Sequence, residues 1–160
     1  LKLMIILTES RLKRIVEEER SNGKKIVTTN GTFDISHPGH TRYLKLARSY
    51  GDVMIALVNS DASVRKAKGE GRPINPEEDR AEMLSEYRSV DYVHVFDDET
   101  PLHLLELIKP DFHVKGGTYI EERVQKEREV VEKYGGRCVY LPEFSGKSST
   151  KTIERIRNGR

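Results

Sequence analysis

Residues 28–40 read TTNGTFDISHPGH, and they connect a short, largely apolar run at residues 25–27 to a helical pattern that begins at Pro38. The apolar run is typical of a buried strand, so His37 and His40 lie where a strand-to-loop crossing enters a helix N-terminus. At this position of an α/β fold, backbone N–H groups and the helix dipole attract phosphate groups. The stretch therefore indicates chemistry on a nucleoside triphosphate.

Apolar runs of strand length alternate with helical patterns along the rest of the chain. Residues 53–58 are continuously apolar, which indicates a strand buried on both faces of a parallel sheet. Further strands are predicted at residues 25–29, 92–96, 112–115 and 139–141. Strands that alternate with helices favour right-handed crossovers. We therefore predict an α/β fold: a doubly wound, Rossmann-like, five-stranded parallel sheet with helices on both faces.

Turn and cap residues delimit the predicted helices. Asn75 and Thr100 are each followed by proline, which predicts a helix N-cap with proline at the first helical position. Residues 66–75 are rich in Gly, Lys, Arg and Pro, and this composition predicts a mobile surface loop.

Composition excludes several classes of protein. The chain has 160 residues, enough for one domain, and its formal net charge is only +2, without the basic stripe of a nucleic-acid-binding domain. The single cysteine, Cys138, rules out an internal disulfide and favours a reducing cytoplasm. Residues 1–7 are apolar but too short to span a bilayer, so we expect an added strand, a docking segment or merely the edge of the chain. We expect a cytoplasmic protein that binds neither nucleic acid nor membrane.

Four polar segments follow predicted strands or precede the last helix, at residues 30–40, 59–61, 115–118 and 145–150. In a parallel sheet the ligand lies beyond the carboxyl ends of the strands. These segments, distant in sequence, are therefore expected to converge on one edge of the sheet.

The two histidines of the opening stretch suit charge stabilisation. His37 and His40 are three residues apart, so both can face one side of a helix, and Gly39 removes a side chain between them. Two imidazoles can donate hydrogen bonds as negative charge grows on an α-phosphate and a departing pyrophosphate. A metal site would need a third ligand, and the other histidines fall in predicted strands and a helix: His94, His103 and His113. We expect no protein metal site.

The motifs resemble a known superfamily. Residues 37–40 match the HxGH signature of the nucleotidyltransferases that include cytidylyltransferases, and residues 148–153, SSTKTI, are similar to its second signature. Within that superfamily the chain resembles the adenylyltransferase part of ADP-heptose synthase over about residues 25–158. The segments that carry this likeness are residues 59–63, 68–76, 98–101 and 114–117.

The resemblance implies a nucleotidyltransferase domain at residues 25–160, after an N-terminal extension and helix at residues 1–24. It implies that ATP, with Mg²⁺, reacts with D-glycero-β-D-manno-heptose 1-phosphate to give ADP-heptose and pyrophosphate for lipopolysaccharide-core synthesis. A homodimer and a separate upstream sugar kinase are also expected. CTP with glycerol 3-phosphate, ATP with a flavin phosphate, and a nucleotide-binding module without catalysis remain as alternatives.

The resemblance also implies roles for individual positions. It assigns catalysis to four residues: His37, His40, Lys68 and Arg72. It assigns nucleotide binding to both histidines and to Gly31, Thr32, Phe33, Asp34, Gly39, Arg80, Lys115, Gly116, Thr118, Ser148, Ser149 and Thr150. Lys68 and Arg72 would fold over bound phosphate, or else are solvated loop charges. Asp34 would orient a metal-bound water or its own loop. Thr118 stands where the heptose family usually has an acid, and His113 where it has an aliphatic residue.

Overall fold

Strands and helices alternate along residues 5–117, 120–142, 144 and 148–159, which are the residues that the structure, a computed structural model, describes. The strands are β1 (Ile5–Ile6), β2 (Ile26–Gly31), β3 (Val53–Asn59), β4 (Tyr92–Phe96), β5 (Phe112–Gly116) and β6 (Arg137–Leu141). The helices are α1 (Glu9–Ser21), α2 (Pro38–Arg48), α3 (Asp61–Lys68), α4 (Glu77–Ser85), α5 (Leu102–Ile108), α6 (Glu121–Lys133) and α7 (Ser149–Arg157).

The strands form one parallel sheet in the order β1-β4-β3-β2-β5-β6. The chain builds outward from β2 through β3 to β4, and then returns to the other side of β2 for β5 and β6. This reversal of direction is the defining feature of a doubly wound sheet, so the predicted architecture is confirmed. It also creates a crevice beside the carboxyl end of β2, where loops from the two halves of the sheet separate.

The prediction of five strands is wrong, because the described part of the sheet has six. Ile5 pairs with Val93 and Ile6 pairs with His94, which adds β1 to the edge of β4. A strand of two residues has no alternation that a sequence pattern can reveal. Its pairing is decided by the open edge of β4.

Helices cover both faces of the sheet, and β3 shows why its residues are apolar without interruption. Met54, Ala56 and Val58 pack in one core with α2 and α4, on one face. Val53, Ile55 and Leu57 pack in a second core with α1 and α5, on the other face. Because side chains alternate across a strand, burial on both faces requires every position to be apolar.

The segment before β2 is joined to the rest of the fold. Leu12 and Val16 of α1 are buried in the second core. The Arg20 side chain of α1 donates hydrogen bonds to the carbonyl oxygens of Ile108 (3.2 Å) and Lys109 (2.6 Å) at the end of α5. Among the described helices, none combines the length and the apolar character that crossing a bilayer requires.

The N-caps of two helices lie one residue later than predicted. Pro76, not Asn75, occupies the N-cap position of α4, and Pro101 occupies that of α5. The Asn75 side chain does not cap this helix, because its amide donates a hydrogen bond to the Asp34 carbonyl oxygen at 2.7 Å. The predicted loop at residues 66–75 is also shorter than expected, since α3 continues to Lys68.

We expect Ile6→Ala to lower the free energy of unfolding by about 2–4 kcal/mol, because it removes a buried side chain and leaves a cavity. Ile6 is 1% exposed, whereas its neighbour Leu7 is 82% exposed. Leu7→Ala is the matched control and should change stability by no more than about 0.5 kcal/mol. Urea denaturation measures both. Equal stability of the two variants would contradict the packing of β1.

Candidate active site

A cleft of about 610 Å³ opens beside the carboxyl ends of β2, β3 and β5, at the crevice that the strand order creates. It brings together most of the residues that the sequence predicted. Those in its lining are Gly31, Thr32, Phe33, Asp34, His37, Gly39, His40, Lys68, Arg72, Lys115, Gly116, Ser148, Ser149 and Thr150. Thr118 lies outside the described residues. The predicted convergence of four polar segments therefore holds for their described parts.

His37 caps α2 and its ring orientation follows from that position. Its backbone is extended, and its Nδ1 accepts a hydrogen bond from the Gly39 N–H at 3.2 Å. A neutral imidazole whose Nδ1 accepts carries its proton on Nε2, so Nε2 is the donor end. Gly39 is required here, because a Cβ atom would lie 2.8 Å from His37 Nδ1 and 2.9 Å from the Phe144 carbonyl oxygen.

His40 stacks against His37, with ring centroids 4.0 Å apart. Burial, together with the neighbouring charges of His37 and Lys68, lowers the pKa of His40 to about 4. The ring is therefore neutral at pH 7. Its Nδ1 is buried and has no hydrogen-bond partner among the described residues. A neutral histidine with an unpaired polar atom suits hydrogen bonding to an anion better than proton transfer.

Phe33 supports the histidine pair from the loop after β2. It is buried, its φ of 50° lies in the left-handed region that is uncommon for side chains other than glycine, and its ring centroid is 5.7 Å from that of His40. A Cβ atom on Gly31 would lie 3.1 Å from the Phe33 ring. Gly31 therefore makes room for this ring. Strained backbone of this kind is often found at functional sites.

Asp34 holds the segment between α3 and α4 in place. Its buried carboxylate accepts hydrogen bonds from the backbone N–H groups of Ile74 (3.0 Å) and Asn75 (2.9 Å) and from Arg72 Nε (3.2 Å). The carboxylate is thus committed to the protein, and the loop-orienting interpretation of Asp34 replaces that of a ligand for metal-bound water.

The two predicted loop cations differ in environment. The Arg72 side chain is only 12% exposed, so its interpretation as a solvated loop charge is wrong. Its Nη2 is buried and lacks a hydrogen-bond partner among the described residues. Lys68 is exposed at the cleft mouth, yet the pKa of its ammonium group is lowered by desolvation and by the charges of Arg72 and Arg80, against the opposing effect of Asp34. Both cations line the cleft, and the charge of Lys68 acts on His40.

Arg80 requires a correction, because it is not placed to bind a ligand. Its guanidinium is fully buried and donates to the carbonyl oxygens of Thr32 (2.6 Å) and Asn75 (3.0 Å) and to Asp61 Oδ1 (2.8 Å). These bonds tie the loop after β2 to the ends of the α3–α4 segment. The sequence offered a basic residue beside a phosphate site, and only the packing shows that its donors are already used.

The second signature is joined directly to the first. Ser148 caps α7, and the Ser149 hydroxyl donates a hydrogen bond to the Ile35 carbonyl oxygen at 2.9 Å. The amino ends of α2 and α7 therefore both border the cleft, together with Thr150. Two helix N-termini add favourable potential for an anion.

Glu127 and Tyr43 line the cleft but were not predicted as site residues from the sequence. Lys115 Nζ donates to Asn30 Oδ1 (2.7 Å) and contacts the Glu127 carboxylate (3.1 Å), and all three line the cleft. Glu127 looked like one more charge on α6. Its spacing from Val124 and Val131 in the sequence could have indicated that it is buried, because the three positions fall on one stripe of that helix.

Gly116 and Tyr43 form the wall next to β5. A Cβ atom on Gly116 would collide with the Tyr43 ring, so the glycine lets the ring lie against the strand. The Tyr43 hydroxyl donates to the Val114 carbonyl oxygen at 2.7 Å and also contacts the Thr29 hydroxyl. Within the described residues, no group of three or more His, Cys, Asp or Glu side chains is arranged to hold a metal ion.

We expect Arg80→Met to lower the free energy of unfolding by about 3 kcal/mol, because it leaves Asp61 and two carbonyl oxygens without their donor. Arg65→Met, on the exposed face of α3, is the control and should stay within about 0.5 kcal/mol of the parent protein. Thermal and urea unfolding measure both. An Arg80→Met protein as stable as the parent would contradict the structural role.

Comparisons with known proteins show the family to which the chain belongs. The sequence model of the cytidylyltransferase-like family matches residues 28–155. Proteins named bifunctional protein HldE from Geotalea uraniireducens and Geobacter metallireducens are 49% identical over 148 residues and 50% identical over 145 residues. These matches cover 92% and 91% of this chain but 30% and 29% of the relatives. The chain thus spans about three tenths of the length of these relatives.

Solved structures share the architecture. The lipopolysaccharide core biosynthesis protein from Thermoplasma volcanium has a TM-score of 0.63 and 25% identity, over 78% of this chain and 100% of that one. Pantoate-β-alanine ligase from Francisella tularensis, complexed with β,γ-ATP and β-alanine, has a TM-score of 0.65 and 16% identity, over 97% of this chain and 77% of that one, and shows the same fold. The predicted family is confirmed: the chain belongs to the cytidylyltransferase-like family of nucleotidyltransferases.

Proposed function

We propose that the chain transfers the adenylyl group of ATP to D-glycero-β-D-manno-heptose 1-phosphate and releases pyrophosphate. The observation that carries the transfer chemistry is the stacked His37–His40 pair at the amino end of α2, inside a cleft bordered by cations. The acceptor is supported by the resemblance to ADP-heptose synthase, by relatives named bifunctional protein HldE, and by a neighbour described as a lipopolysaccharide core biosynthesis protein.

In this reaction a phosphate oxygen of the sugar attacks the α-phosphorus of ATP. The bond from the α-phosphorus to the oxygen that bridges to the β-phosphate breaks, and pyrophosphate leaves with that electron pair. The attacking group is already an anion, so no general base is needed. The chain therefore acts by positioning the reactants and by stabilising charge.

The histidines stabilise the charge that grows on the α-phosphate and the leaving group. His37 donates through Nε2, because its Nδ1 is held by the Gly39 N–H. His40 stays neutral, and a phosphate oxygen supplies the partner that its buried Nδ1 lacks. Because both rings are held by the start of α2 before substrate binds, little reorganisation is needed in the transition state.

The phosphate chain binds between the two helix N-termini and the loop cations. Lys68 and Arg72 approach from the β3 side, and Arg72 Nη2 is buried without a partner among the described residues. Ser148, Ser149 and Thr150 approach from the start of α7. Positive potential from both sides favours a polyanion in the cleft.

Mg²⁺ enters this proposal as part of the MgATP substrate. The Asp34 carboxylate, which lines the cleft, is already bonded to Arg72 and to two backbone N–H groups, so it fits a loop anchor better than a metal ligand. Mg²⁺ commonly keeps its waters and binds chiefly to substrate phosphates. The residues of the cleft would then hold the phosphates, while the ion neutralises part of their charge.

The proposal includes the setting of the reaction. We place it in the cytoplasm, with a sugar kinase acting upstream to phosphorylate the sugar, and with the chain working as a homodimer. The relatives named bifunctional protein HldE, of whose length this chain spans about three tenths, support a second activity in the same process.

Pyrophosphate release across a panel of substrates tests the proposal. The four common nucleoside triphosphates should each be paired with heptose 1-phosphate, glycerol 3-phosphate and flavin mononucleotide. We expect ATP with heptose 1-phosphate to give a kcat/KM at least about 100-fold above every other pair, the discrimination that a few lost polar contacts provide. Turnover of CTP with glycerol 3-phosphate alone, or of ATP with the flavin alone, would overturn the substrate assignment. A folded protein that turns over no pair would instead be a binding module.

The histidine role has its own test. His40→Asn should lower kcat by about 100- to 1000-fold with little change in the KM for ATP, because the lost interaction acts mainly in the transition state. His103→Asn is the control, since His103 is exposed on α5 and outside the cleft lining. Unchanged kcat in His40→Asn would show that the histidine pair does not stabilise the transition state.

A further inference from the structure

The β5 side of the cleft contains a buried network that the proposed mechanism leaves unused. It runs from Thr28 through His113, Glu127 and Lys115 to Asn30. Thr28 and His113 are fully buried, Glu127 is 3% exposed, and the Lys115 side chain is 15% exposed. Lys115 and Asn30 are 85 positions apart in the sequence and meet because β5 pairs with β2. Burial of charged side chains is energetically unfavourable unless they are paired, so the presence of this network calls for an explanation.

The donor and the acceptor of each contact in this network can be assigned. Thr28 Oγ1 lies 2.8 Å from His113 Nδ1. His113 Nε2 lies 3.4 Å from Glu127 Oε2, and neither of these two atoms forms a hydrogen bond with a described residue. An ionised carboxylate only accepts, so the His113 proton belongs on Nε2 and the Thr28 hydroxyl donates to Nδ1. Burial lowers the pKa of His113, which keeps the ring neutral. Burial alone would raise the pKa of Glu127, but His113 and Lys115 outweigh it, so that pKa lies below its usual range.

The network fixes which atoms face the cleft. Lys115 uses one N–H for Glu127 and one for Asn30 Oδ1. Because the Asn30 oxygen accepts from Lys115, its amide N–H groups point away from that ammonium group. Among the described residues, neither the third N–H of Lys115 nor the amide N–H of Asn30 has a partner. The network therefore presents a pair of donors to the cleft, beside the Glu127 carboxylate, which also lines it.

Ion pairing separates this pair from the phosphate-binding cations. On the β3 side, Arg72 pairs with Asp34, whereas Lys68 forms no ion pair with a described residue; Glu99 also lines the cleft there. On the β5 side, the Glu127 carboxylate cancels the charge of Lys115. Arg123 also lines that side and is exposed, as Lys68 is, so the contrast lies in the pairing of Lys115 and not in the net charge of the two sides. A neutralised donor pair binds phosphate less strongly, and it suits the uncharged acceptor atoms of a nucleoside.

We infer that Glu127, which lies beside His113, is a positioning residue that fixes Lys115 and Asn30 as donors to an acceptor atom of the nucleoside half of the nucleotide. The inference rests on the proposed function only in that the cleft binds a nucleoside triphosphate. Stability alone explains the network poorly, because apolar residues commonly replace a buried ion pair without loss of stability. Its position at the cleft, with donors left over, is what an orienting role requires.

Calorimetric binding of two probes tests this role. α,β-Methylene-ATP carries a nucleoside, whereas inorganic tripolyphosphate carries only the phosphates. Glu127→Gln should raise the Kd of α,β-methylene-ATP by about tenfold, the effect of one charge-assisted hydrogen bond, and leave that of tripolyphosphate within about twofold. Glu129→Gln, an exposed carboxylate on the same helix, is the control and should change neither. An equal loss for both probes, or no loss for either, would overturn the inference.

A double-mutant cycle tests whether Glu127 acts through Lys115. In a Lys115→Met background, Glu127→Gln should cost less than about twofold in affinity, because the residue that it positions is gone. A full tenfold loss in that background would overturn the inference. If Glu127→Gln does not fold, Asn30→Ala makes the same probe comparison without disturbing the buried carboxylate.

The 2′-deoxy form of the ATP analogue identifies the atom that is contacted. A Glu127→Gln effect that is equal for both analogues supports a contact with the base, and one that disappears in the deoxy analogue supports a contact with the ribose. These binding measurements do not depend on which phosphorylated compound accepts the adenylyl group. A parent protein that binds the analogue but turns over no substrate pair would overturn the proposed function and leave this inference standing.

Discussion

The buried Asp34 carboxylate is the interaction on which the arrangement of the cleft depends. It accepts from the backbone of Ile74 and Asn75 and from Arg72, and so joins the loop after β2 to the segment after α3. Arg80 reinforces the junction from below by donating to Thr32. These two buried charges hold in one place the residues that lead to the histidine pair and the cations that line the same cleft. Removing either would leave charged groups buried without a partner, which proteins tolerate badly.

The histidine pair illustrates how a helix start can be prepared for an anion. The His37 ring accepts from the backbone of its own helix, which orients Nε2 as a donor, and Gly39 leaves space for that ring. Burial and neighbouring positive charge keep His40 neutral. Chemistry at phosphorus with an anionic attacking group requires hydrogen-bond donors that stay in position, and neutral imidazoles meet that requirement.

The cations on the two sides of β2 differ in how they are paired. On one side, Lys68 at the end of α3 forms no ion pair with a described residue, which suits phosphate. On the other side, Lys115 is neutralised by Glu127, and the donors left over suit uncharged acceptor atoms. Such a difference would orient a nucleotide along the sheet edge, with its α-phosphate beside the histidines. It also explains why equal numbers of basic residues on the two sides need not bind the same part of a ligand.

Much of the fold could be predicted because its causes are local. The apolar run of β3, the capping hydroxyls of Ser60 and Ser148, and the HxGH segment act within a few residues, and the strand predicted at residues 92–96 is the one observed. Most of the predicted site residues line the cleft for the same reason, since they follow strands whose carboxyl ends meet at one edge. The strand β1 was open to several interpretations, because two residues have no period.

The tertiary structure alone decided what each charged residue does. Arg80 and Arg72 are both basic residues near a phosphate loop. Arg80 donates hydrogen bonds to backbone carbonyl oxygens and to Asp61, whereas Arg72 has one nitrogen without a partner among the described residues. Glu127 became a partner of Lys115 only when α6 packed its buried stripe on the sheet. The sequence by itself determined most of the elements and the edge of the sheet where the cleft opens, because periodicity is local. The partner of a buried charge depends on which strands become neighbours, and that is settled only when the sheet assembles.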